Sequence, residues 1–248
     1  MSKDSAQGLW HLKAWGLAIL FFALCVFVQS TQADSTTTKQ TLTLAMPEEQ
    51  MAAISGHEDV IREAFTRAGL GLKIVTIPGN RATFESRAGI VDGEVARTEF
   101  LEVHYPELIP IKVNLRTAHY WVLVHRDNSC PATISDLYRL TSVSLLGAVV
   151  HNKIRELISG PNVTVRSPEA MLQVLHAKRG DYTIAPLRAA KTHGQEQEIF
   201  VKPCFDKPFL TTKLYTYLNK KHAHLIPELE AAYTQVIEKN VKTSATTP

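Results

Sequence analysis

Apolar and polar positions switch between two periods along this chain. "TLTLAMP" (41–47) alternates with period two and stops at a proline, which predicts a strand. In "SGHEDVIREAFTRAG" the period becomes helical. Val60, Ile61, Ala64, Phe65 and Ala68 line one face, Ser55 and Glu58 are spaced as a capping box, and Gly69 stands just past the end. "LKIVTIP" (72–78) predicts a second strand and "NRATFESRAG" a short helix closed by Gly89. "GIVDGEVAR" (89–97) follows as a strand that carries Asp92, Glu94 and Arg97, where a buried strand would be apolar. Strand, helix, strand, helix, strand predicts an α/β fold with a mostly parallel sheet flanked by helices.

From Leu108 to Asp127 the chain is extended and rich in Val, Ile, Leu and aromatics, which suits a crossing between two lobes. A second α/β block begins at "TISDLYRL" and continues through "SVSLLGAVV", "HNKIRELIS" and "SPEAMLQVLHAKRG". In the last of these, Ser167 caps, Pro168 opens the helix and Gly180 ends it. "DYTIAP", "EIFVKP" and "KLYTYLNKK" predict strands, and "IPELEAAYTQVIEKN" a closing helix. "ATFESRAGIVDGEVA" and "AMLQVLHAKRGDYTIAP" share one plan: an amphipathic helix, a small turn, an Asp (Asp92 or Asp181) and a strand. One copy in each block predicts two similar lobes. Asp92 is read as structural, capping a turn with Gly93.

Composition narrows the classes. The content is 45% hydrophobic and 21% charged, ordinary for a globular chain, and the net charge of +3 is too small for a nucleic-acid surface. Lys220, Lys221 and His222 read as a solvated strand end. At the N-terminus, Lys3 and Lys13 precede an apolar run from Ala14 to Val28, followed by "QSTQADS". This pattern predicts a cleavable signal peptide over 1–33 and a periplasmic destination, with a retained membrane anchor as the alternative. Export leaves Cys130 and Cys204 as an even pair, read either as one disulfide or as two separate thiols. No His-Glu-x-x-His, paired Cys-x-x-Cys, Gly-x-Ser-x-Gly or phosphate-loop motif is present, so no metal or cofactor is predicted.

Four stretches in order resemble the family 3 extracellular solute-binding proteins, the periplasmic receptors of ABC importers. They are "RAGIVDGEVAR", "ISDLYRLTSVSLLG", "VLHAKRGDYTIAP" and the closing "LNKKHAHLIPELEAAYTQVIEKN", and the likeness spans about 41–240. It implies a two-lobed periplasmic-binding-protein-like fold with a ligand cleft between the lobes. Lobe 1 would be 34–118 with 213–248, and lobe 2 would be 119–212. It places Arg97 on the cleft-facing end of its strand, Arg81 in a neighbouring loop and Glu48 in the first cleft loop. His151 or Asn152 would stand at a helix N-terminus able to meet an anion. Of Tyr120 and Trp121 on the crossing strand, one is expected to face the cleft and the other the core, and Tyr120 is carried as a ligand-binding candidate.

The sequence departs from the amino-acid-binding members of that family. "EFLEVHYPEL" lacks the carboxylate-clamping arginine, and Pro186 stands where an ammonium-binding Asp is expected. A buried ammonium without a carboxylate is costly. The function predicted is therefore capture of a small polar or anionic solute by a monomer that serves an inner-membrane ABC permease or a sensor protein. Arg97 pairing with Glu94 or Glu99 is the competing role for that arginine. Two other functions are carried forward. One is an enzyme on the same scaffold, similar to cyclohexadienyl dehydratase, with Glu48 or Glu94 as general acid/base. The other is a sensory module whose cleft residues pair with one another.

Overall fold

The structure is a computed structural model that describes residues 39–48, 54, 56–187 and 200–246; residues 1–33, predicted above as a signal peptide, and Ser55 lie outside the described residues. Residues 39–248 form one compact unit. The strands β1 (Thr41–Pro47), β2 (Gly71–Ile77) and β3 (Gly93–Thr98) are separated by α1 (Glu58–Arg67) and α2 (Gly79–Ala88). Then come α3 (Leu101–His104), β4 (Leu108–Pro110) and the long β5 (Arg116–His125). The second block holds β6 (Ser142–Leu145), α4 (Val149–Leu157), β7 (Asn162–Val165), α5 (Pro168–His176), β8 (Tyr182–Ala185) and β9 (Val201–Pro203). The chain returns through β10 (Leu210–Asn219) and closes with α6 (Ile226–Thr246).

Among the described residues the strands order as β2-β1-β3-β10-β5-β8-β6-β7. β1 pairs parallel with β2 and β3, and β6 pairs parallel with β7 and β8. These two parallel groups follow from the helical crossovers the sequence predicts. The antiparallel strands β5 and β10 join them. β5 pairs with β10 over Arg116–Tyr120 and with β8 over Trp121–Val124, so one strand runs from the first half of the sheet into the second.

Each half buries its own core. Leu42, Leu44, Ile61, Phe65, Val95, Leu229 and Tyr233 fill the first. Tyr120, Val122, Leu137, Ile154, Tyr182 and Ile184 fill the second, beside a further cluster around Leu123, Met171 and Leu175. The predicted helix–turn–Asp repeat is a pair of equivalent clamps. Asp92 accepts the Thr43 N–H at 2.8 Å and donates its own N–H to the Thr43 carbonyl at 2.7 Å. Asp181 does the same with Thr141, at 2.7 and 2.8 Å. Cys130 and Cys204 are disulfide-bonded, with Cα atoms 5.2 Å apart, and tie the segment after β5 to the end of β9.

Several local expectations change. α1 begins at Glu58 with His57 as its N-cap, and Glu58 and Asp59 lie in its first turn, at the positive helix end. After α5 the left-handed position falls on Lys178, at φ +56°, and not on Gly180. Gly180 is required by close approach: a Cβ there would run into the Val143 side chain. Lys221 and His222 are not a solvated strand end. Lys221 Nζ lies 2.9 Å and the buried His222 Nε2 2.7 Å from Asp92 Oδ1. Burial pushes the Asp92 carboxyl up, but the Thr43 N–H, Lys221 and His222 together hold it below its ordinary value.

Candidate functional site

The charged strand of the sequence is β3, and its alternation is interrupted. β10 pairs with it at Tyr215↔Arg97 and Tyr217↔Glu94, so three steps along β3 oppose two along β10. That is a β-bulge. In a regular strand, residues three apart point to opposite faces. The extra residue cancels the alternation and brings Glu94 and Arg97 to one side. Arg97 Nη1 lies 3.4 Å from Glu94 Oε2. Val95 and Ala96, between them, both stay in the first core. The Thr216 hydroxyl donates to the Val95 carbonyl at 2.8 Å and meets the Tyr233 hydroxyl at 2.9 Å, so the interrupted ladder is satisfied from β10 and α6.

The pair is buried: Arg97 is 5% exposed and Glu94 0%. Charges so placed interact through a low local dielectric, which strengthens their mutual attraction and raises the cost of leaving either alone. Tyr120 of β5 is also buried, and burial pushes its hydroxyl up to about 12, opposed by the nearby Arg97 charge. Tyr217 donates to the Thr98 carbonyl at 3.1 Å, fixing the end of β3. Glu99 is engaged elsewhere; its carboxylate accepts from the Thr212 hydroxyl and the Lys213 N–H at 3.0 and 3.2 Å. Glu94 thus stands within ion-pair distance of Arg97, as the competing role for that arginine expects. Trp121 points to the opposite side of β5 and packs with the Leu123–Leu175 cluster.

The other predicted residues do not join this group. Arg81 lies on the solvent face of α2, 72% exposed in its side chain, with Nε 2.6 Å from Glu85 Oε1. Glu48 is exposed just beyond the end of β1. Asn152 accepts from Arg155 at 3.0 Å on the outer face of α4. His151 is buried inside the second half because α4 begins at Val149, two residues earlier than the polar pattern suggests. Its Nδ1 accepts the Leu145 N–H at 2.6 Å, leaving Nε2 as the protonated nitrogen. Among the described residues, no group of three His, Cys, Asp or Glu side chains is arranged to hold a metal ion.

Burial pushes the His151 imidazole down to about 4, with Arg155 adding to the effect and the Ile184 carbonyl opposing it. Between that value and the ordinary 6.5 the unfolded chain binds more protons than the folded one, so stability falls as the pH drops through this window. The expected loss is about 3 kcal/mol by pH 4. Urea midpoints measured from pH 7 to 4 should show that slope, and His151→Gln should flatten it.

No protein-family model matches this sequence, and no curated protein is found to be similar to it. Solved structures do resemble it. A histidine kinase sensor domain with similarity to periplasmic binding proteins superposes with a TM-score of 0.72 at 12% identity, over 84% of this chain and 95% of that one. The substrate-binding protein of an amino acid ABC transporter reaches 0.65 at 13% identity, over 81% and 94%. An arginine-bound mutant of ArgBP from T. maritima gives 0.64 at 14%, over 81% and 97%. At such identities the likeness concerns the fold and not the ligand. The chain has a periplasmic-binding-protein-like α/β fold, with helices flanking a mixed sheet.

Proposed function

We propose that this protein is a periplasmic module that captures a small polar or anionic solute between two lobes, 34–118 with 213–248 and 119–212. The observation that carries this reading is the bulge in β3, which turns a guanidinium and a carboxylate to one side of a strand separated from the crossing strand β5 by β10 alone. Keeping two charges inside a small protein costs several kcal/mol per ion before compensation, and bulges that re-aim side chains gather at functional sites. Arg97 offers the planar, multidentate donor set that recognises carboxylate or phosphate. Tyr120 supplies a neutral hydroxyl next to it. Glu48 and Arg81 stay in the proposal as residues on the rim, and His151 as a support of the second lobe.

The similarity to sensor domains as well as to transporter receptors bears on the partner. Glu94 already neutralises Arg97, as expected of a sensory module in which internal pairing sets the resting state. The partner we favour is therefore a signalling protein, with an ABC permease second. Differential scanning of the mature protein against panels of carboxylates, phosphorylated metabolites and amines tests the solute class. An anion at a hundred times its Kd should raise the stability by about 2.7 kcal/mol. A response confined to cationic solutes would refute the reading.

A further inference from the structure

Val149 opens α4 in the second half of the sheet, yet it is buried in a cluster with Leu101, Leu108 and Tyr217, which belong to the first half. Phe100, in the turn after β3, packs against this cluster and also against the second core around Tyr120 and Val122. A third contact crosses at the turn before α4. Gly147 has φ +73°, and the space a Cβ would need there is filled by the Asn80 side chain at the start of α2. The first two contacts meet in the cluster that holds Tyr217, whose backbone pairs with Glu94 across β10 and β3 and whose hydroxyl donates to the Thr98 carbonyl, next to Arg97.

We infer that these contacts form a latch that keeps the two halves closed in the resting protein. A solute reaches Arg97 only after Val149 and Phe100 part from the Leu101–Tyr217 cluster. Solute binding therefore competes with the latch, and the bound form is no more compact than the resting one. The second statement rests on the solute site proposed above; the latch itself does not.

The test uses the mature protein alone, so its outcome is independent of whether any solute binds. A compact unit of about 210 residues has a radius of gyration of roughly 17 Å, and solution scattering of the wild type should lie near it. Val149→Arg places a charge in the apolar cluster and should shift the open-to-closed ratio by at least about tenfold, seen as a larger radius with unchanged circular dichroism. Should that variant fail to fold, Val149→Ser and Asn80→Ala give the same reading by hydroxyl-radical footprinting. Oxidation of the Phe100 and Tyr217 rings should rise severalfold while that of the core residue Phe65 stays constant. A wild type already as extended as Val149→Arg, or Phe100 and Tyr217 labelled equally in all forms, overturns the latch.

Discussion

Arg97→Ala is expected to lower the unfolding free energy by about 4 kcal/mol. The substitution removes little apolar packing, but it leaves the fully buried Glu94 carboxylate without the guanidinium 3.4 Å away. A buried carboxylate that loses its paired cation keeps its desolvation cost without that compensation. The companion Glu94→Gln with Arg97→Met removes both charges and preserves volume. With both charges gone, no buried ion is left without its counter-charge, which is the costly outcome of removing one partner alone. The double variant should therefore recover most of the loss, with a urea midpoint near that of the wild type. Equal stability of wild type and Arg97→Ala would mean that the pair is solvated and not buried.

Loss of the disulfide is the second large effect. Cys130 and Cys204 close a loop with a sequence separation of 74. Cross-linking a loop of that length restricts the unfolded chain and stabilises the fold by about 4 kcal/mol. For a chain of this size the double Cys→Ser variant should melt roughly 8–16 °C lower. The bond anchors β9, which pairs with β5 through Leu123, Val124 and His125, so the second half should unfold first. Reductant should reproduce the shift in the wild type and leave the double variant unchanged. Identical melting in both would show that the thiols are not bonded in the mature protein.

The two halves of the sheet were legible in the sequence because their signals are local. Asp92 and Asp181 each follow a helix and a small turn, and both form the same two-bond clamp, to Thr43 and Thr141. The site was legible only in part. That β3 carries charge is plain from its residues, but the bulge depends on how β10, more than a hundred residues later, registers against it. Nothing between Glu94 and Arg97 marks the extra residue. His151 was misplaced for a different reason: Val149 and Val150 read as the end of a strand, whereas they start α4, and two residues turn a helix by more than half a revolution. Val149 carries no sequence signal for its contacts across the halves, since an apolar first turn looks the same whether it faces its own core or another. Arg81 is a helix-surface residue that pairs four positions on with Glu85, a spacing visible in the sequence but outweighed by the family resemblance.

In the proposed site the guanidinium at position 97 serves a bound solute as well as Glu94. The most direct measurement is native mass spectrometry of gently purified mature protein, beside the Glu94→Gln, Arg97→Met variant. The prediction is a small acidic molecule retained by the wild type and absent from the variant, although both are folded. The same adduct held equally by both proteins would contradict the assignment of the site to Arg97.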